Sequence, residues 1–349
     1  MLGSKLTTLL QTFPTRSVCV LLDKMNLHKY IRIGELNTIA DLDRESVMSI
    51  IDDADAIEQY IRTNGPLEPF LRGKCLAMVF DETSLRTRNA FERAMLDLGG
   101  HAIYFSGKEA RIGLNADKTE HLEDFVNVIG LFNDALLTRI YDHGLQKRIA
   151  EICPVPFING MCDQHHPTQA LCDFLTIRRR LRDLKDLKVA FVGDGTNVAT
   201  SLAQTAALVG ARFVIATPPG WAPPSSLVAD LKGYTWTSNP HEAAKDADVI
   251  IGDVWIPMNK SHEAEHRREM LLPYRITTEL MALARPHAFF MHNLPANRGD
   301  EVTSEVIDGP QSAVYEEAVA RLHIARALLL HMLHPDPASC IKSLVQKSH

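Results

Sequence analysis

The sequence predicts an α/β protein with two doubly wound parallel-sheet domains joined by long helices. Three observations carry that expectation. Short apolar runs alternate with amphipathic stretches from residue 36 onward. The alternation occurs twice, and the long helical pattern "PTQALCDFLTIRRRLRDL" (167–184) separates the two series. The chain has 349 residues, 46% of them hydrophobic and 23% charged, which is enough for two domains of ordinary size. Strand–helix alternation implies parallel strands, because a helix must carry the chain back across the sheet between them.

The elements follow in order. "DLDRESVMSIIDDADAIEQYIRTNG" (41–65) has acids early and a glycine stop, the marks of a helix. "KCLAMVF" (74–80) reads as a buried strand, and "LRTRNAFERAMLDLGG" (85–100) as the helix after it. "HAIYFS" (101–106), "DALLTRI" (134–140) and "VPFING" (155–160) read as strands. "TEHLEDFVNVIGLF" (119–132) and "GLQKRIAEIC" (144–153) read as helices. Pro167 opens the connecting helix at its favoured first position. The basic run from Arg178 to Arg182 suits that helix's C-terminal end as a solvated face. "KVAFVGDGTNVATSLAQTAALVGA" (188–211) is a strand, a tight glycine turn and a helix. Further strands are expected in "RFVIATPPG" (212–220), "DVIIGDVW" (248–255) and "HAFFMHNLP" (287–295). "AVYEEAVARLHIARALLLHML" (313–333) closes the fold as an amphipathic helix, and no short-period repeat is present.

Bulk properties exclude several classes. A net charge of −6 argues against a nucleic-acid surface. No apolar run reaches the length of a membrane span, and "SVCVLLDKM" (17–25) lacks the cleavage pattern of a signal peptide. Residues 1–24 are expected to be an extension outside the core fold. The six cysteines show no C-x-x-C pair and no zinc-like spacing. They read as reduced thiols of a cytoplasmic protein, with Cys162 and Cys172 buried and inert.

The stretch "VFDETSLRTRNAFERAML" (79–96) places Ser84, Arg86, Thr87 and Arg88 where a strand hands over to a helix. Ligands of open α/β sheets bind at such carboxyl ends. A helix N-terminus offers free N–H groups and a positive dipole end, so it attracts phosphate. Hydroxyls and an arginine fork complete an anion site. The competing possibility is that Arg86 and Arg88 only pair with Asp81, Glu82 or Glu92. Basic charge at a helix start opposes the dipole, which favours the anion site.

Other candidates are weaker alone. "GDGTNVATS" (193–201) suggests a dinucleotide turn, but Val198 stands where the third glycine belongs. The acidic residue expected after the next strand is also missing. No phosphate-loop motif ending in G-K-[ST] occurs either. "DQHHPTQALCDF" (163–174) sets His166 before Pro167 and Gln169 in the first helical turn, where they can hold a carbonyl and an amide. A zinc site at the adjacent His165 and His166 is disfavoured, since neighbours cannot present one face. Asp253 in "DVWIPMN" (253–259) sits at a strand end, where a carboxylate meets an amine. "MHNLPANRGDEV" (291–302) reads by itself as a loop after a strand.

Taken in order, "SLRTR", "LLTRIYDH", "DQHHPTQALCD", "FVGDGTN", "DVWIPM", "HNLPANRGDEVT" and "ARLH" resemble the aspartate/ornithine carbamoyltransferase family, its ornithine branch above all. The likeness runs from about residue 25 to 335. S-x-R-T-R and H-P-T-Q in this order are together highly specific. The resemblance implies a homotrimer or a multiple of trimers, with sites between subunits and carbamoyl phosphate bound first. It implies a carbamoyl-phosphate domain over 25–166, with the C-terminal helix 322–349 packing back, and an acceptor domain over 167–321. It assigns phosphate contacts to Ser84, the Leu85 backbone, Arg86 and Thr87. Arg139 and His166 would polarise the carbamoyl oxygen, with Arg321 beside the carbamoyl group. Gln169 and the Leu294 carbonyl would hold its NH₂. Asn197 and Asp253 would hold the acceptor's amino-acid end. Arg111 would reach into a neighbouring subunit's phosphate site. No metal and no cofactor are implied.

Two departures from the ornithine pattern fall on the acceptor side. The usual H-C-L-P reads His292-Asn293-Leu294-Pro295, which puts a neutral amide where a titratable thiol stands beside the attacking amine. The usual D-x-x-x-S-M-G reads Asp253 followed by Pro257-Met258-Asn259, which removes a hydroxyl and a backbone N–H. The expected activity is carbamoyl transfer to an ornithine-like or shorter diamino acid. Ordinary citrulline synthesis and a catalytically weak, carbamoyl-phosphate-binding paralogue are the alternatives.

Overall fold

The computed structural model describes residues 33–110, 120–256 and 262–347. The expectations for residues 1–24, Arg111, Pro257, Met258 and Asn259 lie outside the described residues. The first half contains β1 (Glu35–Leu36), α1 (Arg44–Asn64), β2 (Cys75–Phe80), α2 (Leu85–Asp97), β3 (His101–Ser106), α3 (Leu122–Phe132), β4 (Ala135–Arg139), α4 (His143–Ile152) and β5 (Phe157–Met161). After α5 (Pro167–Leu181) come β6 (Lys188–Val192), α6 (Asn197–Val209), β7 (Arg212–Ala216), β8 (Tyr234–Thr237), β9 (Val249–Gly252), α7 (Ala264–Leu271), β10 (Phe289–His292), α8 (Val314–Leu333) and α9 (Pro337–Lys347).

The strands form two five-stranded sheets, ordered β1-β5-β4-β2-β3 and β10-β9-β6-β7-β8. Every pairing within them is parallel. The predicted class therefore stands. The central strands carry near-continuous apolar runs because both faces are covered: Leu76 to Phe80 and Val249 to Ile251 are all buried. Sequence order reverses direction between β2 and β4 in one sheet and between β6 and β9 in the other. A crevice opens at such a point outside the strand ends.

Local chemistry sets the boundaries. The Asp43 side chain accepts from Ser46 N to start α1, and Gly65 ends it at φ 91°. The helix expected over 167–184 stops at Leu181, because Arg182 turns to φ 69°. β1 and β8 were not anticipated. One has two residues, and the other, "YTWT", lies at a sheet edge with no alternation of buried and exposed positions. α8 crosses between the halves, packing on α1, α2, α5 and β10, and α9 lies against α1. The charge on its buried side is matched: Arg326 pairs with Asp97, and His331 with Asp53 at 2.8 Å.

Candidate active site

The crevice between β2 and β4 brings together the first group of expected residues. Ser84 caps α2, its hydroxyl accepting from Thr87 N at 3.3 Å. The first turn of α2 holds no acidic residue. The N–H groups of Leu85 and Arg86 therefore meet no carboxylate from their own helical turn, as an anion-binding helix start requires. The two arginines of the motif part company. Arg88 bonds Glu92 at 2.8 Å and lies 3.7 Å over the Tyr104 ring. Its partner is the nearby acid considered above. Arg86 lies close to Arg321 instead; burial first, then repulsion from Arg321, lowers its pKa.

Arg139 ends β4 on the other wall of the crevice. Burial first, then Arg321 and Arg86, depress its pKa to about 10, and Glu82 offsets only part of this. Its Nε is buried without a partner, as are Arg321 Nε and Thr87 Oγ1. Buried donors left unmade cost free energy, so three of them beside three mutually repelling cations mark a place built for an anion. His166 lies among the same arginines. Burial and the charges of Arg321, Arg139 and Arg86 hold its pKa well below the usual range, so the imidazole is neutral. Its backbone N–H donates to Ser201 Oγ at 2.8 Å, fixing the start of α5 against α6.

Gln169 sits three residues further on and is fully buried. Its amide NH₂ donates to Asp173 Oδ1 at 2.5 Å and to Glu317 Oε1 at 2.9 Å. Its Oε1 accepts from Arg321. Arg321 also reaches the Asn293 carbonyl at 3.4 Å. Leu294 follows in the left-handed region at φ 54°, its N–H donating to His292 Nδ1 at 2.9 Å.

The second switch point supplies the acceptor-side candidates. Asp253, after β9, is buried; it accepts from Val254 N at 2.8 Å and from Thr196 Oγ1 at 3.2 Å. Burial raises its pKa, while His292 and hydrogen bonds from Val254, Thr196 and the Asn293 side chain pull the other way. Asn293 thus engages the carboxylate expected to meet the acceptor. Asn197 begins α6, but its Nδ2 donates to Cys162 O at 2.5 Å and its Oδ1 accepts from Val198 N. Its amide ties the two halves together. Arg267 of α7 is buried, pairs with Asp194 in the glycine turn and donates to Trp255 O at 2.6 Å. Sequence reasoning missed Arg267, Asp173 and Glu317. Glu317 stands four residues before Arg321 on α8, a spacing that in the sequence reads as an ordinary solvated pair.

Burial, then the nearby His143, lowers the pKa of His165 to about 4, so its imidazole is neutral.

Two family models cover most of the chain. Residues 35–179 match the aspartate/ornithine carbamoyltransferase carbamoyl-P binding domain, and residues 185–332 the Asp/Orn binding domain of the same enzymes. The chain is 38% identical over 306 residues to an ornithine carbamoyltransferase of Methanoculleus marisnigri, spanning 86% of this chain and 97% of the relative. It is 38% identical over 313 residues to that of Bacillus subtilis, spanning 87% and 95%. The solved ornithine carbamoyltransferase of Pyrococcus furiosus superposes with a TM-score of 0.83 at 37% identity, over 88% of this chain and 99% of that one. The enzyme from Thermus thermophilus gives 0.78 at 34%, over 86% and 99%. Likeness of this extent, in both halves and in sequence as well as fold, places the chain in the aspartate/ornithine carbamoyltransferase family.

Proposed function

We propose that this carbamoyltransferase moves the carbamoyl group of carbamoyl phosphate onto the side-chain amine of ornithine or a shorter diamino acid, releasing phosphate. The observation that carries the reading is the set of buried, unpartnered donors Thr87 Oγ1, Arg139 Nε and Arg321 Nε beside Arg86. In this reading Ser84, the Leu85 backbone, Arg86 and Thr87 hold the phosphate. Arg139 and neutral His166 donate to the carbamoyl oxygen, and their bonds strengthen as it becomes an oxyanion. The Gln169 Oε1 and the Leu294 carbonyl accept from the carbamoyl NH₂, with Arg321 alongside. A neutral amine attacks the carbonyl carbon; the C–O bond to phosphate breaks, and phosphate takes the amine's proton. Positioning and electrostatics supply the rate, with no covalent intermediate.

On the acceptor side, Asp253 and Asn197 hold the amino-acid end, with Pro257 and Met258 in the adjoining loop. The bond between the Asn293 side chain and Asp253 supports an acceptor pocket altered from the ornithine pattern. The relatives' names support ornithine itself. Initial rates with ornithine, 2,4-diaminobutyrate and 2,3-diaminopropionate decide between them. A highest kcat/KM for ornithine excludes the altered acceptor, and no turnover with any amine leaves the weak paralogue.

The same reading includes a cytoplasmic homotrimer, a carbamoyl-phosphate unit over 25–166 with 322–349, and an acceptor unit over 167–321. Leu131 and Phe132 of α3 are 81% and 77% exposed, and Leu85 is 73% exposed. Large apolar side chains left open, Leu85 beside the phosphate site and Leu131 and Phe132 before the start of β4, support subunit interfaces on this half. Light scattering that finds only monomer at assay concentration contradicts it. Among the described residues no helix is long and apolar enough to cross a membrane.

A further inference from the structure

Two buried side chains behind the site, Asp173 and Glu317, have no role in the scheme above. Gln169 and Asp173 lie four residues apart on one face of α5, and Glu317 comes from α8. All three are at most 1% exposed. We propose that Asp173 and Glu317 form a positioning pair, holding one proton on Asp173, that fixes which end of the Gln169 amide faces the reaction centre. This rests on the reading of Gln169 as the group that meets the carbamoyl NH₂.

The donor count supports the pair. Carboxylate oxygens accept, so both face the amide NH₂ of Gln169. Reversing the amide would set its oxygen against two carboxyl groups and its NH₂ against the Arg321 guanidinium. The Gln169 oxygen is therefore committed to the Arg321 side, where it accepts an N–H and cannot donate one. The carbamoyl NH₂ offers such an N–H, whereas a methyl in its place does not.

The two acids have different tasks. Glu317 accepts with both oxygens: Oε1 from Gln169 and Oε2 from the backbone N–H of His292 at 2.9 Å. It thereby joins Gln169 to the end of β10, which leads to Asn293 and Leu294. Asp173 Oδ1 accepts from Gln169, but its Oδ2 is buried with no donor, within reach of the Glu317 carboxyl. Two carboxyls so close in a dry site do not both ionise. Burial and Glu317 push the Asp173 pKa well up. The proton sits on Asp173 Oδ2 and is donated to Glu317, whose remaining charge Arg321 balances.

This division makes an unequal prediction for two isosteric changes. Asparagine at 173 reproduces a protonated aspartate, with one acceptor and one donor in the same places. Glutamine at 317 has one acceptor oxygen where glutamate has two, so either Gln169 or His292 N–H loses its partner. Calorimetry compares carbamoyl phosphate with acetyl phosphate, which carries a methyl in place of NH₂. In Asp173→Asn the preference for carbamoyl phosphate stays within about threefold of the parent. In Glu317→Gln it falls at least about tenfold, the scale of one buried hydrogen bond, while acetyl phosphate binds as before. Gln169→Ala sets the full loss.

If Gln169→Ala keeps the preference, the role given to Gln169 is wrong. If Gln169→Ala loses it and Glu317→Gln keeps it, the positioning pair alone is wrong. A large loss in Asp173→Asn overturns the placement of the proton. If Glu317→Gln does not fold, Asp173→Asn still decides, together with infrared difference spectra. The band of a protonated carboxyl must be present in the parent at neutral pH and absent from Asp173→Asn; a parent without it refutes the pair.

Discussion

Arg139→Met offers a change whose two effects run in opposite directions. In the ligand-free protein Arg139 carries a charge that burial and two other arginines disfavour, lowering its pKa to about 10. For a base, a lowered folded pKa means that the unfolded chain holds the proton more tightly. The cost is fully present below pH 10 and fades only as pH rises through that value toward the ordinary arginine range. At about 1.4 kcal/mol per pH unit the cost is about 3 kcal/mol. The side chain is partly open to water, and screening reduces this to about 1–3 kcal/mol. Methionine has similar length, no charge and no unmade Nε–H bond. Ligand-free Arg139→Met should therefore be more stable by about that amount, raising the melting temperature by a few degrees. Carbamoyl transfer should fall at least about a hundredfold, the usual loss for one oxyanion donor. Melting curves without ligand and initial rates at saturating acceptor measure the two effects. A variant that is less stable than its parent in the absence of ligand would refute the claim that the site stores unpaired positive charge.

Arg86→Ala should weaken carbamoyl phosphate binding by about 3 kcal/mol, two charge-assisted bonds, or about a hundredfold in Kd by calorimetry; unchanged affinity removes the phosphate assignment. Asp253 has a raised pKa, so the cost of holding it ionised is present above that pKa and disappears as pH falls through it. Asp253→Asn should accordingly melt higher at neutral pH, and the acceptor KM should rise sharply with little change in the KM for carbamoyl phosphate; equal changes in both KM values argue against an acceptor role. Mixing Arg111→Ala chains with Arg86→Ala chains should restore part of the activity if sites lie between subunits; mixtures no more active than the single variants count against shared sites.

The parts of the candidate site legible in the sequence were those in which neighbouring residues stand together. Ser84, Arg86 and Thr87 declare themselves because hydroxyls and a cation crowd a helix start with no acid in its first turn. The sheets were legible because strands covered on both faces must be apolar throughout. What escaped depends on distance along the chain. Glu317 lies 148 residues from Gln169, and within "AVYEEAVARLH" a glutamate reads as solvated charge. Arg267 reads the same way in "HEAEHRRE", and only the fold reveals that it clamps Asp194 and Trp255. Arg88 shows the converse. Its helical spacing from Glu92 is visible in the sequence, yet proximity to Arg86 suggested a shared purpose.

α8 has a consequence for how the enzyme comes to life. It packs on α1, α2 and α5 and carries both Glu317 and Arg321. The groups that would embrace carbamoyl phosphate therefore come from positions 84 to 321, joined by very long loops that close late and slowly. A half that regains its helices and sheet before α8 has docked does not own a complete site. Catalytic competence should consequently lag behind the recovery of secondary structure during renaturation. A phosphate analogue, by binding only the docked state, should hold the two halves together against denaturant. Ligand occupancy thus serves as a readout of the final assembly step.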